Sequence, residues 1–409
     1  MIQHEIVVVG GGLASARAVK SYREAGGTGS VFLVTLDEVL PYHRPPLSKR
    51  YLRGEAEESD TLVEQPDFYT QHEVDVSFRT RVELVDLEAR EIDLSAGARV
   101  GYEQLVIATG AAPRRLGVPG EELENVFTLR TLADSTAIRS AARGAKRAVV
   151  VGASFIGMEV ASSLTALGIG VTLVHRGSAV FETLRAPEVS LAFADIYREK
   201  GVELVLEDEV VEFLGDGKLR AARTRSGREL EAELAVVGIG VEPLVAFLEG
   251  SGLTLDDGVA VDEHYRTGVP GVYAVGDVAS FLDPIFERRR RIEHWSNANY
   301  QGTQVGKVLA GEDASYERVS TFFSEVFGTT IKVFGDIDQH DELVWRGSPR
   351  SWKAIGFYLA GGRLVATFVT GQDEETEARL QELILHRAEV EHRDRLADES
   401  AALEAGFRS

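Results

Sequence analysis

A chain of 409 residues, 44% apolar and 27% charged, is long enough to bury two or three cores and has the composition of a globular protein. It contains no cysteine, which excludes disulfides, a thiolate nucleophile, an iron–sulfur cluster and any thiolate-built zinc site. The net charge of −21 argues against nonspecific nucleic-acid or anionic-membrane binding, and no apolar run approaches the roughly 20 residues that span a bilayer.

The chain enters a strand almost at once, leaving no room for a signal peptide, so the expected location is cytoplasmic. Ile6 to Val9 is an apolar, β-branched run that stops at Gly10-Gly11-Gly12 and passes through Leu13 into a helix-like segment, Ala14 to Glu24. This strand, turn and helix start has the spacing that receives a dinucleotide pyrophosphate. Gly10 allows the sharp turn, Gly12 lets backbone N–H groups approach phosphate, and Ser15 replaces the third glycine of the pattern. Val31 to Val34 reads as the second strand. Asp37 follows about 25 residues past the glycines, where an acid either accepts hydrogen bonds from an adenosine ribose or is a solvated loop residue.

Pro41-Tyr42-His43-Arg44-Pro45-Pro46-Leu47-Ser48-Lys49 is a proline-stiffened segment carrying Arg44 and Lys49. Pro-Tyr-x-Arg-Pro-Pro-Leu-Ser-Lys resembles a signature of the FAD-dependent ferredoxin reductases that serve aromatic-ring dioxygenases and bacterial cytochromes P450. Rubredoxin reductases, monodehydroascorbate reductases and apoptosis-inducing-factor flavoproteins are relatives. Leu105-Val106-Ile107-Ala108-Thr109-Gly110-Ala111 is similar to the strand and turn that close the family's first nucleotide-binding segment. The resemblance further implies that Pro45 lies near the FAD, that Val82 presents backbone groups to adenine and that Arg130 lies near the FAD.

The first pattern is repeated at Ala148 to Val151, followed by Gly152-Ala153-Ser154-Phe155-Ile156-Gly157-Met158-Glu159. Two dinucleotide folds in one chain argue for two dinucleotides, one tightly held FAD and one exchanging nicotinamide nucleotide. Ser154 takes the middle glycine position, where its hydroxyl can reach a phosphate or a bridging water. After the strand Val171 to Val174 stand His175 and Arg176, where NAD-specific relatives carry an acid. A carboxylate accepts the ribose 2′-hydroxyl and a guanidinium favours a 2′-phosphate, so NADH and NADPH both remain open. The resemblance implies that Glu159 approaches Lys49 beside the isoalloxazine, a charge pair that tunes the flavin. The alternative is a helix-dipole carboxylate.

Val236 to Pro243, containing Gly238, Ile239 and Gly240, leads back toward the first domain. Val272-Tyr273-Ala274-Val275-Gly276-Asp277 resembles the second FAD motif, in which the aspartate after the glycine bonds the ribityl chain. Arg288 to Arg291 is either a docking patch for an acidic redox partner or a solvated edge. Next, Glu293-His294-Trp295 resembles the helix start that points at the flavin pyrimidine; His294 is expected to support packing, because hydride transfer needs no acid–base group. From Ser320 the chain turns to aromatic strands, with Phe323 where ferredoxin reductases often carry tryptophan, and Glu374 to about Leu403 reads as a surface helix.

The expected fold is α/β: two Rossmann-like dinucleotide-binding domains of the glutathione-reductase-like FAD/NAD(P) kind and a small C-terminal α+β domain. The expected partition is an FAD-binding domain in two segments (1–115 and 245–318), an NAD(P)-binding domain (116–244) and a C-terminal domain (319–409). The implied activity is transfer of a hydride from NAD(P)H to FAD, then of single electrons to a separate 2Fe–2S or Rieske-type ferredoxin of an oxygenase. Without cysteine the disulfide relay of glutathione-reductase-like cousins is excluded. Alternatives are a reductase of a small acceptor such as a quinone, a radical or dioxygen, and a redox-responsive interaction protein resembling apoptosis-inducing factor. No metal, nucleic acid or membrane partner is expected, and the assembly is a monomer or a homodimer.

Overall fold

The structure, a computed structural model, describes residues 2–95 and 97–408. The chain divides into two compact units, each assembled from three segments: Met1–Arg44, Glu57–Ala112 and Val241–Arg318 form one, and Pro45–Ala56, Pro113–Gly240 and Val319–Ser409 the other.

The first unit begins with β1 (Ile2–Val9), α1 (Leu13–Glu24), β2 (Val31–Val34), β3 (Val74–Ser77), β4 (Val82–Asp86), β5 (Glu91–Leu94) and β6 (Arg99–Ile107). They build a sheet in the order β3-β2-β1-β6-β5-β4, parallel from β3 to β6, with β5 and β4 added antiparallel. Ile6 to Val9 are in the middle of the parallel part and reach the core on both faces, which is why the run is uniformly apolar rather than alternating. The glycine turn leaves from the carboxyl end of this central strand, where open α/β sheets bind their ligands.

The second unit repeats the plan with β7 (Val126–Thr128), β8 (Arg147–Val151), α2 (Phe155–Ala166), β9 (Gly170–His175), β10 (Glu203–Leu206) and β11 (Leu234–Val237). Its order is β10-β9-β8-β11-β7, parallel throughout.

Back in the first unit, β12 (Val272–Ala274) pairs with the end of β6, and β13 (Ala279–Asp283) with β14 (Arg288–Arg291) makes an antiparallel hairpin. Helix α3 (Trp295–Leu309) then lies against α1. Gly302 and Gly306 permit this: a Cβ would fall 2.4 Å from the Ala14 carbonyl oxygen at the first and 2.5 Å from that of Ala18 at the second. The Ser21 hydroxyl donates to the Thr303 carbonyl at 2.7 Å across the same seam.

The end of the second unit is an antiparallel sheet of β15 (Thr321–Val326), β16 (Thr329–Gly335), β17 (Glu342–Ser348), β18 (Lys353–Ala360) and β19 (Arg363–Thr370), ordered β15-β16-β19-β18-β17. Helix α4 (Glu374–Leu385) stops well short of Leu403. The chain instead returns to the sheet, with Glu389 bridging Arg363 and Val390 bridging Phe407, and Arg387 takes a left-handed conformation to make the turn. Among the described residues no helix is long and apolar enough to cross a membrane.

Candidate functional site

In the first unit Gly10 has φ +123°, and a Cβ there would lie 2.3 Å from the carbonyl oxygen of Ala108, so only glycine lets β1 turn under the crossing end of β6. Gly12 is the extended residue preceding α1; it has no side chain to cap the helix, and the first turn carries no acid. The N–H groups of Leu13 and Ala14 therefore begin a helix whose positive end has no side-chain acceptor. Behind them the Ser15 hydroxyl is buried and finds no partner among the described residues. A Cβ on Gly12 would sit 3.4 Å from Arg44 Nη1, so Arg44 is brought to this turn. The Tyr42 hydroxyl donates to Asp37 Oδ1 at 3.3 Å.

Gly276 joins the same turn, with its Cβ position 3.2 Å from the Ala14 methyl and its N–H donating to Gln301 Oε1 at 2.8 Å. Asp277 beside it is buried. Thr109 and Gly110 are held to the returning chain: the threonine hydroxyl donates to the Leu244 carbonyl at 2.9 Å, and the Gly110 carbonyl accepts the Leu244 N–H at 3.0 Å. Val82 is buried in β4 opposite Leu94. His294 is the residue that precedes α3, and burial pushes its pKa down to about 4, so near neutral pH it carries no charge. Trp295 Nε1 donates to His43 Nδ1 at 3.0 Å; burial also lowers the His43 pKa, in keeping with an acceptor nitrogen there.

Within the arginine run Arg289 is exposed, whereas Arg290 and Arg291 turn their side chains inward. Arg290 pairs with the fully buried Asp283 at 2.7 Å, Arg291 pairs with Asp257 at 3.1 Å and Glu293 at 2.5 Å, and Arg289 donates to the Val261 and Ser280 carbonyls. The Arg290 and Arg291 side chains are only 11% and 9% exposed, so these two form neither a docking patch nor a solvated edge.

In the second unit Gly152 has φ +106°, and a Cβ would lie 2.2 Å from the Gly238 carbonyl oxygen. Ser154 precedes α2 without capping it, leaving the N–H groups of Phe155 and Ile156 at another helix start with no side-chain acceptor. A Cβ on Gly157 would be 1.9 Å from the Gly152 carbonyl oxygen, which fixes helix against turn. Gly238, Ile239 and Gly240 follow β11 beside this turn; Ile239 is exposed and the Gly240 carbonyl accepts the Arg114 N–H. Arg130 opens the helix Leu132–Ala142, its N–H donating to Asp134 Oδ2 at 3.0 Å.

Glu159 lies on α2, 4% exposed, and Lys49 Nζ meets its Oε2 at 2.5 Å. Two hydroxyls complete the shell: Ser48 Oγ donates to Oε2 at 2.5 Å and Ser324 Oγ to Oε1 at 2.6 Å. A buried carboxylate survives because it is both paired and hydrogen-bonded. The segment Pro45–Ala56 is held by the Ser135 hydroxyl on the Leu47 carbonyl and the Ser163 hydroxyl on the Ser48 carbonyl. Sequence reasoning missed Ser48 and Ser324 as partners of Glu159. Ser48 was visible inside the proline-rich signature, whereas Ser324 lies 165 residues away on β15 and had no local signal. Phe322, on the same strand, packs its ring 4.0 Å from that of Phe155; Phe323 alternates to the other face.

At the end of β9, the Ala153 N–H donates to His175 Nδ1 at 3.4 Å, and burial lowers the histidine pKa. Arg176 is exposed. Glu182 Oε1 accepts from the N–H of Ser178 at 2.7 Å, the Ser178 hydroxyl at 3.0 Å and the N–H of Ala179 at 3.0 Å, and Oε2 stands 3.6 Å from His175 Nε2. The donor sets at both turns, backbone N–H groups at a helix start with no carboxylate among them, fit a dinucleotide diphosphate. The buried, unpartnered Ser15 hydroxyl and Gln301 Nε2 fit a polar ligand at the first turn.

Comparison with known proteins agrees with this geometry. A family model described as pyridine nucleotide-disulphide oxidoreductase matches residues 4–302, and one described as reductase C-terminal matches residues 321–406. The chain is 33% identical over 404 residues to putidaredoxin reductase CamA of Pseudomonas putida, covering 97% of this chain and 95% of that protein. It is 33% identical over 406 residues to the 5,5'-dehydrodivanillate O-demethylase ferredoxin reductase subunit of a Sphingobium species, covering 98% of each. Among solved structures it superposes on a chain of the covalent putidaredoxin reductase–putidaredoxin complex with a TM-score of 0.94 and 32% identity, covering 99% of this chain and 98% of that one.

Proposed function

The chain belongs to the pyridine nucleotide-disulphide oxidoreductase family, and from that premise we propose that it is an FAD-containing oxidoreductase that passes electrons from NAD(P)H to a ferredoxin of an oxygenase system. The observation that carries the reading is a pair of glycine turns, each at the carboxyl end of a strand with parallel neighbours on both sides, in a chain without cysteine. A disulfide relay cannot be built, so the iron–sulfur centre belongs to a separate protein. The names of the relatives support a ferredoxin as that protein, and our reading takes it to be of 2Fe–2S or Rieske type.

When bound, FAD supplies a two-electron acceptor that can release electrons singly, which suits a hydride donor on one side and a one-electron acceptor on the other. The chain's residues bind and orient. Gly10, Gly12 and the start of α1 receive the FAD diphosphate, Asp37 the adenosine ribose and Asp277 the ribityl chain. Gly152, Ser154 and the start of α2 receive the NAD(P)H diphosphate, with Gly157 holding the helix in place. Lys49 and Glu159 are the charge pair that tunes the flavin. We assign FAD binding to residues 1–115 and 245–318, nucleotide binding to 116–244 and a C-terminal domain to 319–409, and place the protein in the cytoplasm.

The test is anaerobic stopped-flow bleaching of the flavin's visible band by NADH and by NADPH in separate runs, followed by mixing with a 2Fe–2S ferredoxin. Fast bleaching and fast recovery on adding ferredoxin are expected. A persistent charge-transfer band with slow recovery would replace this reading with the redox-responsive one. Recovery only with quinone or dioxygen would make the protein a small-molecule reductase.

A further inference from the structure

At the end of β9 the residues placed to meet an adenosine ribose in a nucleotide-binding unit are His175, the last of the strand, and Arg176 after it. Taken alone they suit a 2′-phosphate, because no carboxylate ends the strand and an exposed guanidinium follows it. His175 contributes no cation to such a site. Its Nδ1 accepts from the Ala153 N–H, which places the ring against the glycine turn, and burial keeps it neutral near pH 7. Arg176 makes no ion pair or hydrogen bond among the described residues.

The donors a 2′-phosphate would use beside Arg176 are the N–H groups of Ser178 and Ala179 and the Ser178 hydroxyl, and all three converge on one oxygen of Glu182. Three donors on one anionic oxygen is the arrangement that binds a phosphate oxygen. Gly177 makes the room: a Cβ there would lie 2.2 Å from Glu182 Oε2 and 2.7 Å from His175 Nε2. Partial burial pushes the Glu182 carboxyl up, but the bonds from Ser178 and Ala179 outweigh it and hold the pKa below the ordinary range, so the group stays ionised.

We propose that Glu182 is an internal carboxylate occupying the donors that a 2′-phosphate needs, so that the protein takes NADH in preference to NADPH although Arg176 stands at the strand end. The inference rests on the reading of β8, α2 and β9 as the nicotinamide-nucleotide site. A 2′-phosphate would have to displace a carboxylate from three hydrogen bonds or settle beside it as a second anion, and either lowers its affinity.

The experiment is isothermal titration of the FAD-loaded protein with ADP-ribose and with 2′-phospho-ADP-ribose, which differ only in the phosphate concerned. The unmodified protein should bind ADP-ribose at least tenfold more tightly. In Glu182→Ala the ratio of the two affinities should move toward the phosphorylated ligand by tenfold or more. Adding Arg176→Ala should take most of that gain away. Glu182→Gln keeps an acceptor oxygen for the turn and removes the charge, so a smaller shift in the same direction is expected from a protein whose turn is intact. A preference of the unmodified protein for 2′-phospho-ADP-ribose, or a ratio unmoved in both Glu182 variants, would overturn the inference. Binding of neither ligand would instead defeat the nucleotide-site reading and this inference with it.

Discussion

At Gly10 and at Gly152 the backbone takes the same left-handed path, and at both a Cβ would strike a carbonyl oxygen of the neighbouring strand's end, Ala108 at 2.3 Å and Gly238 at 2.2 Å. Beyond that residue the two turns part. The position before each helix is Gly12 in one and Ser154 in the other, and the third position is Ser15 in one and Gly157 in the other. The Ser15 side chain is accommodated in the core, whereas a Cβ on Gly157 would meet the Gly152 carbonyl oxygen at 1.9 Å. The first glycine is thus demanded by the crossing of the backbone, and the other two are demanded only where the local helix packing closes on them. Two positions past the third residue the helices diverge further: α1 carries Arg17, half-open and shared between Glu64 and Asn299, and α2 carries the buried Glu159.

That last contrast gives the largest expected effect. Glu159→Ala leaves the Lys49 ammonium buried without its partner and removes the acceptor of Ser48 and Ser324, which should cost about 3–5 kcal/mol in denaturant unfolding of the second unit. Arg17→Ala removes a partly solvated pair and should cost about 1 kcal/mol or less. Equal costs would mean that the two helix positions are equivalent after all.

The start of α3 separates burial from charge pairing. His294 has a folded pKa of about 4, below its unfolded value, so its contribution to stability is full above about pH 6.5 and is lost as pH falls toward 4. The loss is at most about 3 kcal/mol over that window. His43 and His175, also lowered by burial, act with the same sign. Chemical denaturation at pH 7 and pH 5 should show a smaller difference in His294→Asn than in the unmodified protein; an unchanged difference would place the acid sensitivity elsewhere.

Gly10→Ala and Gly152→Ala each force a Cβ onto a backbone oxygen and should each cost about 2 kcal/mol or more. Their consequences should differ. The first should lose flavin, read as the ratio of visible to ultraviolet absorbance, and the second should keep flavin but bleach slowly with NAD(P)H. Loss of flavin from both would show that the turns do not serve separate ligands.

Much of this was legible in the sequence because it is local. A β-branched run ending in glycines before a helix is a strand, a turn and a helix start whatever surrounds it, and both nucleotide-type sheets are built around that pattern. What could not be read depends on which distant segments meet. The inward turn of Arg290 and Arg291 needed Asp283 and Asp257 to come opposite them. Ser324 needed β15 to pass over α2. The charged tail reads as one helix because its composition favours helix, yet pairing of Glu389 and Val390 ends α4 at Leu385. His175 and Arg176 were visible, but the carboxylate that fills the space beside them comes back from Glu182, whose carboxyl sits where a Cβ on Gly177 would be.

The smallest expected effect on the fold sharpens the comparison most, because it separates what the backbone needs from what the ligand needs. A Cβ on Gly12 would meet only Arg44 Nη1, at an ordinary 3.4 Å, and its φ of −93° suits any residue, so Gly12→Ser should change unfolding stability by less than about 0.5 kcal/mol. The second turn already carries serine at this place without strain. If Gly12 is there for the close approach of a diphosphate, Gly12→Ser should weaken FAD binding about tenfold or more while the apoprotein unfolds as before. Ser154→Gly, the reverse exchange, should leave FAD content alone and alter only the affinity for ADP-ribose. A Gly12→Ser protein that keeps its flavin at full affinity would show that the two positions are interchangeable, and that the tight hold on FAD comes from Arg44, Asp277 and the start of α3 instead.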